Sequence, residues 1–364
     1  MSFILAIRAA NHQEFSGMRY SFDELVSFST ELFCAAGIRD EHALVTAQRL
    51  TEADLRGRSG HGLIRVSPYL ERIRAGGINT RAEPRITRET AASAQIDAEN
   101  GLGQVAMTMA TELAVAKAAD AGIAVVGTVN SNHAGAAGLY PAMAARHGMA
   151  GVYLAVANAN GMPPWGGNSP VLGPNPISIA VPAEHGPPFL LDIATTAASH
   201  GAIKVARQAG RPLPVGWVAD REGRPITDPD HADDGFLLPI GGYKGSGLTV
   251  AAGLLAGVLN GAAFGHEVVD HRVDKVTPTN TGQLFIALRA DVFRPLEAVL
   301  GDVTRHLRLL RESGSPSGDP LRLPGDHAAR LEHEYSRDGL PISPAVRDAL
   351  NAEAARAGIP RRLQ

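Results

Sequence analysis

The sequence predicts a mixed α/β chain with a helical beginning and a body of strands and helices. Three observations carry this. Residues 18–80 hold three amphipathic runs at helical spacing, joined by short links. Beyond Pro84 the texture changes to short apolar runs that alternate with helical stretches. A chain of 364 residues also has room for two cores, at roughly 150 residues per domain.

The elements follow in order. Ser21-Phe22-Asp23-Glu24 is a capping box ahead of an amphipathic helix that ends near Gly37. Asp40 opens a second helix, with Ala43, Leu44, Ala47 and Leu50 on one face, ending near Gly57. A third covers Val66–Arg74 and stops at Gly76-Gly77. Ala94–Ala98 reads as a short strand. Gly101-Leu102-Gly103 then turns into a long helix, Gln104 to Asp120, closed by Gly122. Ile123–Val129 and Gly151–Ala157 read as buried strands, with a helix over Tyr140–His147 between them. Residues 158–182 are too dense in Gly and Pro to form one central helix or strand throughout. Phe189–Ile193 is a strand, Ala197–Gln208 a helix, and 210–235 a charged loop region. After Gly247 an apolar helix runs to about Gly261. Gln283–Leu288 is a strand, Leu296–Glu312 an amphipathic helix, 313–319 a loop and Pro344–Ala357 a last helix.

Composition narrows the function classes. Apolar residues make up 45% and charged residues 20% of the chain, as in a soluble globular protein. The formal net charge is −3 and no long basic run occurs, which argues against nucleic acid as the main partner. No apolar segment is long enough to span a bilayer, so no membrane partner is expected. Cys34 is the single cysteine, set beside Phe33 inside a helix; no intrachain disulfide is possible and a cytoplasmic setting is expected. Residues 1–17 are expected to be a disordered tail or an upstream start, with Met18 as the functional start. His266-Glu267 to His271 is one residue too long for HExxH, so no metal is expected. No GxSxG elbow is present, which leaves a hydrolase without a nucleophile.

Four places can carry chemistry. Gly241, Gly242, Gly245 and Gly247 surround Lys244 ahead of a helix. Glycine permits close backbone approach, and a helix start offers unpaired N–H groups and a positive dipole end. That suits a phosphate or carboxylate. The order of residues matches neither a P-loop nor GxGxxG, and a plain glycine-rich turn with a solvated lysine is the competing reading. His61 follows a helix and His133 follows a buried strand, each among small residues; both suit proton transfer in the ordinary histidine range, and both could equally be surface-loop histidines. His61 is four residues before Arg65, so one helical turn would put both on one face. Asp192, at a strand end before Thr195-Thr196, can orient a histidine, bind a ribose, or cap the following helix.

Taken together, certain stretches resemble the malate/L-lactate dehydrogenase family of the non-Rossmann type. They are HG-x-x-R at His61, SNHAG at Ser131, PWGG at Pro164, GPNP at Gly173, LDIATT at Leu191, GGYKGSGL at Gly241 and LPGDH at Leu323. That family includes sulfolactate, ureidoglycolate and 2,3-diketogulonate oxidoreductases and a cyclic-imine carboxylate reductase. The resemblance runs from Arg19 to the last helix. It implies a helical domain, residues 18–80 joined by C-terminal helices within 290–364. It also implies an α/β domain over 81–289 with a mostly antiparallel sheet that binds NAD(P) without a Rossmann fold, in a homodimer. By resemblance, His61 and His133 are the acid/base pair, and Arg65 with Ser59 holds the substrate. Asn158, Asp192, Ile193, Ala194, Thr195, Thr196, Tyr243, Lys244, Gly325, Asp326 and His327 match contacts to NAD or NADP. The implied reaction moves a hydride between the cofactor and a small 2-hydroxy/2-oxo acid. The alternatives are a cyclic-imine carboxylate reductase of the same family or a catalytically silent ligand-binding relative. Two departures bear on the substrate: Gly60 stands where the family has Ser before the histidine, and Pro174 where it commonly has Thr.

Overall fold

A computed structural model describes residues 18–316 and 318–364; the tail expected over residues 1–17 lies outside them. The N-terminal segment folds as three helices, α1 (Phe22–Ala35), α2 (Asp40–Leu55) and α3 (Val66–Arg74). Ser21 caps α1 as its sequence demands, its hydroxyl accepting the Glu24 N–H at 3.1 Å. Leu25, Phe28, Leu32 and Phe33 of α1 pack with Leu50 of α2 and with Val66, Tyr69 and Leu70 of α3. The C-terminal segment closes this core through Leu340, Ile342, Leu350 and Leu363. A two-residue ladder, Arg19 to Pro341 and Tyr20 to Leu340, ties the two segments together. Phe28 is fully buried, and its truncation to Ala would cost about 3–5 kcal/mol.

The body is built on a seven-stranded sheet. Its strands are β1 (Arg85–Glu89), β2 (Ser93–Asp97), β3 (Ile123–Ser131), β4 (Met149–Ala155), β5 (Ile177–Val181), β6 (Phe189–Ile193) and β7 (Thr281–Arg289). They lie in the order β1-β2-β3-β7-β4-β5-β6. Only β2 and β3 run parallel; the other pairs are antiparallel, and no doubly wound unit is present among the described residues. The last-formed strand in sequence, β7, is the central one, with Phe285 facing Val126 on one side and Tyr153 on the other.

Side-chain alternation splits the sheet into two apolar faces. Phe285 and Ala287 face helix α4 (Gly103–Ala121) and helix α5 (Leu139–Arg146). Leu284 faces Ala252 and Ala256 of helix α7 (Tyr243–Ala256). Ala110, Ala114 and Ala118 line the buried stripe of α4, and such small residues let a helix lie close to a sheet. Gly122, at φ 82°, ends that helix. The remaining helices are α6 (His200–Gln208), α8 (Leu296–Arg311), α9 (Asp326–Asp338) and α10 (Pro344–Arg356).

The sequence reading misses β1, β5 and α9, and each has a reason. β1 is exposed at every position, so it carries no burial alternation. β5 sits inside the Gly- and Pro-rich stretch. α9 buries only Leu331, so it shows no apolar stripe of ordinary width. The helix expected after Gly247 begins four residues sooner, at Tyr243, with Gly242 as its N-cap at φ 66°. Gly245 is thus a helical residue, and it must be glycine: an added Cβ would lie 2.0 Å from the Ile240 carbonyl oxygen.

Candidate active site

The link between α2 and α3 sets the first half of the site. It folds as two short 3-10 turns, Ser59–His61 and Leu63–Arg65, separated by Gly62. Gly62 sits at φ −92° and ψ −143°, outside the helical region, so His61 and Arg65 do not share one helical turn as their spacing suggested. What bends the chain there is Asp54 of α2. Its Oδ2 accepts the Leu63 N–H at 2.7 Å. A Cβ at position 62 would meet that carboxylate at 2.2 Å. Burial pushes the Asp54 carboxyl up to about 7, partly offset by the Leu63 N–H. Arg65 Nε donates to the Gly60 carbonyl at 2.7 Å, which closes the turn. Ser59 is exposed at its start.

The second half comes from the end of β3. Asn132 is buried and donates to Asn100 O, Asn100 Oδ1 and Gly101 O. Its carbonyl accepts from Gln283 Nε2 at 2.9 Å. α4 starts directly against this backbone, where a Cβ on Gly103 would lie 2.2 Å from Asn132 O. The Gly-Leu-Gly turn is therefore a packing requirement. Held in this way, His133 presents its ring beside His61, with centroids 5.6 Å apart and planes 13° off parallel. A third ring, His271, lies 5.6 Å from His133 at 45°.

The tautomer of His133 follows from its partners. Gln104 Nε2 donates to the Tyr69 hydroxyl at 3.0 Å, which turns the hydroxyl proton toward His133 Nδ1, 2.5 Å away. The Gly135 N–H also points at Nδ1, at 3.3 Å. With two donors aimed at it, Nδ1 is an acceptor, and the ring proton sits on Nε2. Burial holds His133 well below the usual histidine range, and the positive charge of Arg65 adds to this. His61 reaches solvent at the surface but stands deep among protein atoms. That enclosure, then Arg65, lowers it to about 4, with Asp192 opposing. Burial, Arg65 and Arg72 bring His271 to about 4. All three rings are therefore neutral at pH 7, and proton exchange in the ordinary histidine range does not hold for the ligand-free chain.

The expected cofactor residues fall into three places. Asp192 lies one residue before the end of β6, 3.5 Å from Arg58 Nε. It does not cap the next helix, since Ser199 does so by accepting the Ala202 N–H. Ile193 is the last residue of the strand and Ala194 follows it, both half-buried. Thr195 accepts from Thr249 Oγ1 at 2.7 Å, which braces the loop against α7, and Thr196 Oγ1 donates to Ala198 O at 2.8 Å within the loop. Asn158 is buried; it donates to Thr281 Oγ1, and its carbonyl accepts the His271 N–H at 3.2 Å. Tyr243 and Lys244 are exposed in the first turn of α7, and Lys244 has no ion pair among the described residues. The Trp165 ring lies over Gly242, 3.2 Å from where a Cβ would stand.

Gly325-Asp326-His327 opens α9 against β6, where the Leu190 N–H donates to Pro324 O at 3.1 Å. The Asp326 carboxylate is taken up by Arg311, at 2.6 and 3.0 Å, and by the Leu323 N–H. Beside this loop a cavity of about 320 Å³ is lined by Arg56, Arg146, Pro188, Leu190, Gly325 and Glu332. Leu190 and Asp192 are two apart on β6 and so share a face, which connects the cavity with the side where Arg58 and His61 stand. Tyr69, Gln104 and Asp54 escape the sequence reading as site residues, and His271 enters it only as one end of a rejected metal motif. Tyr69 lies on the apolar stripe of α3, and His271 in a loop outside the stretches that carry the family resemblance.

A family model described as malate/L-lactate dehydrogenase matches residues 20–351. The NAD(+) ureidoglycolate dehydrogenase of Escherichia coli K12 is 33% identical over 340 residues, covering 93% of this chain and 96% of its own. The NADP(+) (2R)-3-sulfolactate dehydrogenase of Chromohalobacter salexigens is 34% identical over 321 residues, 88% of this chain and 93% of its own. Among solved structures, sulfolactate dehydrogenase from Methanocaldococcus jannaschii superposes with a TM-score of 0.88 at 32% identity, over 94% of this chain and 98% of that one.

Proposed function

The chain belongs to the malate/L-lactate dehydrogenase family, and from that premise we propose that it moves a hydride between NAD or NADP and a small 2-hydroxy/2-oxo acid. The observation that carries this reading is the grouping of Arg65 with the stacked rings of His61 and His133. A guanidinium binds a carboxylate as a fork. The oxygen on the neighbouring carbon then falls to the histidines. His133 offers a fixed Nε2–H, which stabilises negative charge developing on that oxygen. It cannot also act as the base there, because its acceptor nitrogen is occupied by Tyr69 and Gly135. His61, with no such lock, takes the hydroxyl proton during oxidation and returns it during reduction.

The residues present fit an anionic dinucleotide. An exposed lysine stands at a helix N-terminus, at Lys244, and a cavity with two arginines, Arg56 and Arg146, adjoins Gly325. Lys244 with the α7 N–H groups would hold one anionic part, and the Gly325 loop with β6 the other end. The nicotinamide, when bound, supplies or accepts the hydride. Relatives of both cofactor types, NAD(+) and NADP(+), are similar to this chain, so both are candidates. We further propose a homodimer. Leu248, Leu254, Leu255, Val258 and Leu259 are 44–70% exposed along and after α7, an apolar patch of the kind that subunits cover. Among the described residues no helix is long and apolar enough to cross a membrane.

The deciding experiment is a screen of absorbance at 340 nm with NADH and NADPH against a panel of 2-oxo acids and one cyclic imine carboxylate. Turnover with a 2-oxo acid supports the reading. Turnover with the imine alone shifts it to an imine reductase. No turnover, with binding retained, makes the chain a silent ligand-binding relative.

A further inference from the structure

We propose that the cavity beside Gly325 selects a dinucleotide with a 2′-phosphate, NADPH over NADH, and that Arg146 is the residue that reads the extra phosphate. The inference rests on the dehydrogenase reading above, which leaves both cofactors as candidates, and concerns only the choice between them.

Three observations support it. First, the cavity is placed and shaped for the nucleoside end of a cofactor. Its volume of about 320 Å³ lies within the range of small-molecule sites. Pro188, Leu190 and Ala329 give it apolar walls for a base. Leu190 precedes Asp192 by two residues on one face of β6, about 7 Å along the strand from the side where Arg58 and His61 stand. Gly325 keeps the loop before α9 tight on that strand. Its φ is 100°, and a Cβ there would lie 3.0 Å from the Leu190 nitrogen.

Second, the cavity is positively charged. Its charged lining residues are Arg56, Arg146 and Glu332, two cations against one anion. Arg56 is built in, at 9% exposure. It follows α2 where that helix packs on α9, and a Cβ on Gly57 would lie 2.4 Å from Leu331 Cδ1. Its guanidinium donates to Glu332 Oε1 at 3.3 Å, and its buried Nε has no hydrogen-bond partner. Arg146 ends α5, is exposed, and has no ion pair among the described residues. Its planar fork is free to take a phosphate.

Third, the carboxylates near the cavity are committed. Asp326 is taken up by Arg311 and by the Leu323 N–H. Glu332 is held by Arg56. A free carboxylate recognises the ribose 2′-hydroxyl of NAD, and an arginine accommodates the 2′-phosphate of NADP. The uncommitted charge at this cavity is an arginine.

The test measures binding without substrate. Wild-type protein and Arg146→Gln are titrated with NADPH and with NADH, following nucleotide fluorescence. Arg146 is exposed, so the change leaves the core intact. Wild type is expected to bind NADPH at least about ten-fold tighter than NADH, the worth of one charge-assisted contact. In Arg146→Gln that ratio should fall close to one. A wild-type preference for NADH, equal affinities, or a ratio that survives in Arg146→Gln overturns the assignment and leaves the hydride-transfer reading intact. Wild-type protein that binds neither nucleotide sinks that reading and this inference with it.

Discussion

Tyr69 and His133 are joined by a hydrogen bond of 2.5 Å between the phenol oxygen and Nδ1, and this contact settles which face of the imidazole remains for chemistry. Burial pushes the Tyr69 hydroxyl up to about 12, so it stays protonated and stays a donor. Tyr69→Phe should release the tautomer. Turnover is expected to fall about ten-fold, in line with one buried hydrogen bond worth about 1–1.5 kcal/mol, with cofactor affinity unchanged. Nitrogen NMR of His133 should show mixed tautomers in the variant; a single Nε2–H form would contradict the lock.

His61→Asn should lower kcat by about 10²–10⁴-fold, the usual worth of a positioned acid/base. The pH dependence has a definite sign. His61 is neutral above about 4 in the free protein. Oxidation needs the neutral ring, so its kcat/KM should hold at neutral pH and drop only as pH falls through about 4. Reduction needs the charged ring, so its kcat/KM should decline as pH rises above about 4. A bound carboxylate cancels the effect of Arg65, and the kcat profile for reduction should therefore lie at higher pH than the kcat/KM profile. Equal profiles in the two directions would exclude His61 from the proton step.

Lys244→Ala should weaken cofactor binding about ten-fold, as expected for one charge-assisted hydrogen bond of about 1.5 kcal/mol. The loss should shrink at high salt, because Lys244 is exposed and screening already weakens its attraction. A fluorescence titration that finds unchanged affinity at low salt would remove Lys244 from the cofactor site.

Asp54 ties stability to pH. Its folded value, about 7, lies above the ordinary 3.8. Its contribution is therefore complete below about 4 and is lost as pH rises toward 7. Asp54→Asn keeps an acceptor for the Leu63 N–H and cannot ionise. Relative to wild type, the variant should gain a few kcal/mol between pH 4 and pH 8. Thermal melts with the same gap at both pH values would show that Asp54 is not strained by ionisation.

The apolar surface of α7 should be covered in solution. Light scattering is expected to give twice the chain mass, and Leu255→Asp should give a single chain, since a charge at such a contact is not tolerated. A fully active monomer at assay concentration would refute the dimer.

Much of this protein is determined by short stretches of its sequence. The Ser21 cap, the helix end at Gly122 and the buried runs of β3, β4 and β7 are set by residues within a turn or two of each other. Motif residues such as His61 and His133 are equally visible, because each stands among small residues at an element boundary, and Arg65 is visible by its spacing from His61. The tertiary structure alone decided how they meet. Asp54 bends the chain at Gly62 and separates His61 from Arg65 in helical phase. Tyr69 fixes the tautomer of a histidine just past a strand it does not adjoin in sequence. His271, set aside in the sequence because its spacing from His266 fits no metal motif, is brought beside His133 by its loop. Protonation and hydrogen-bond direction depend on burial and on charges brought together by packing, and no local pattern encodes either.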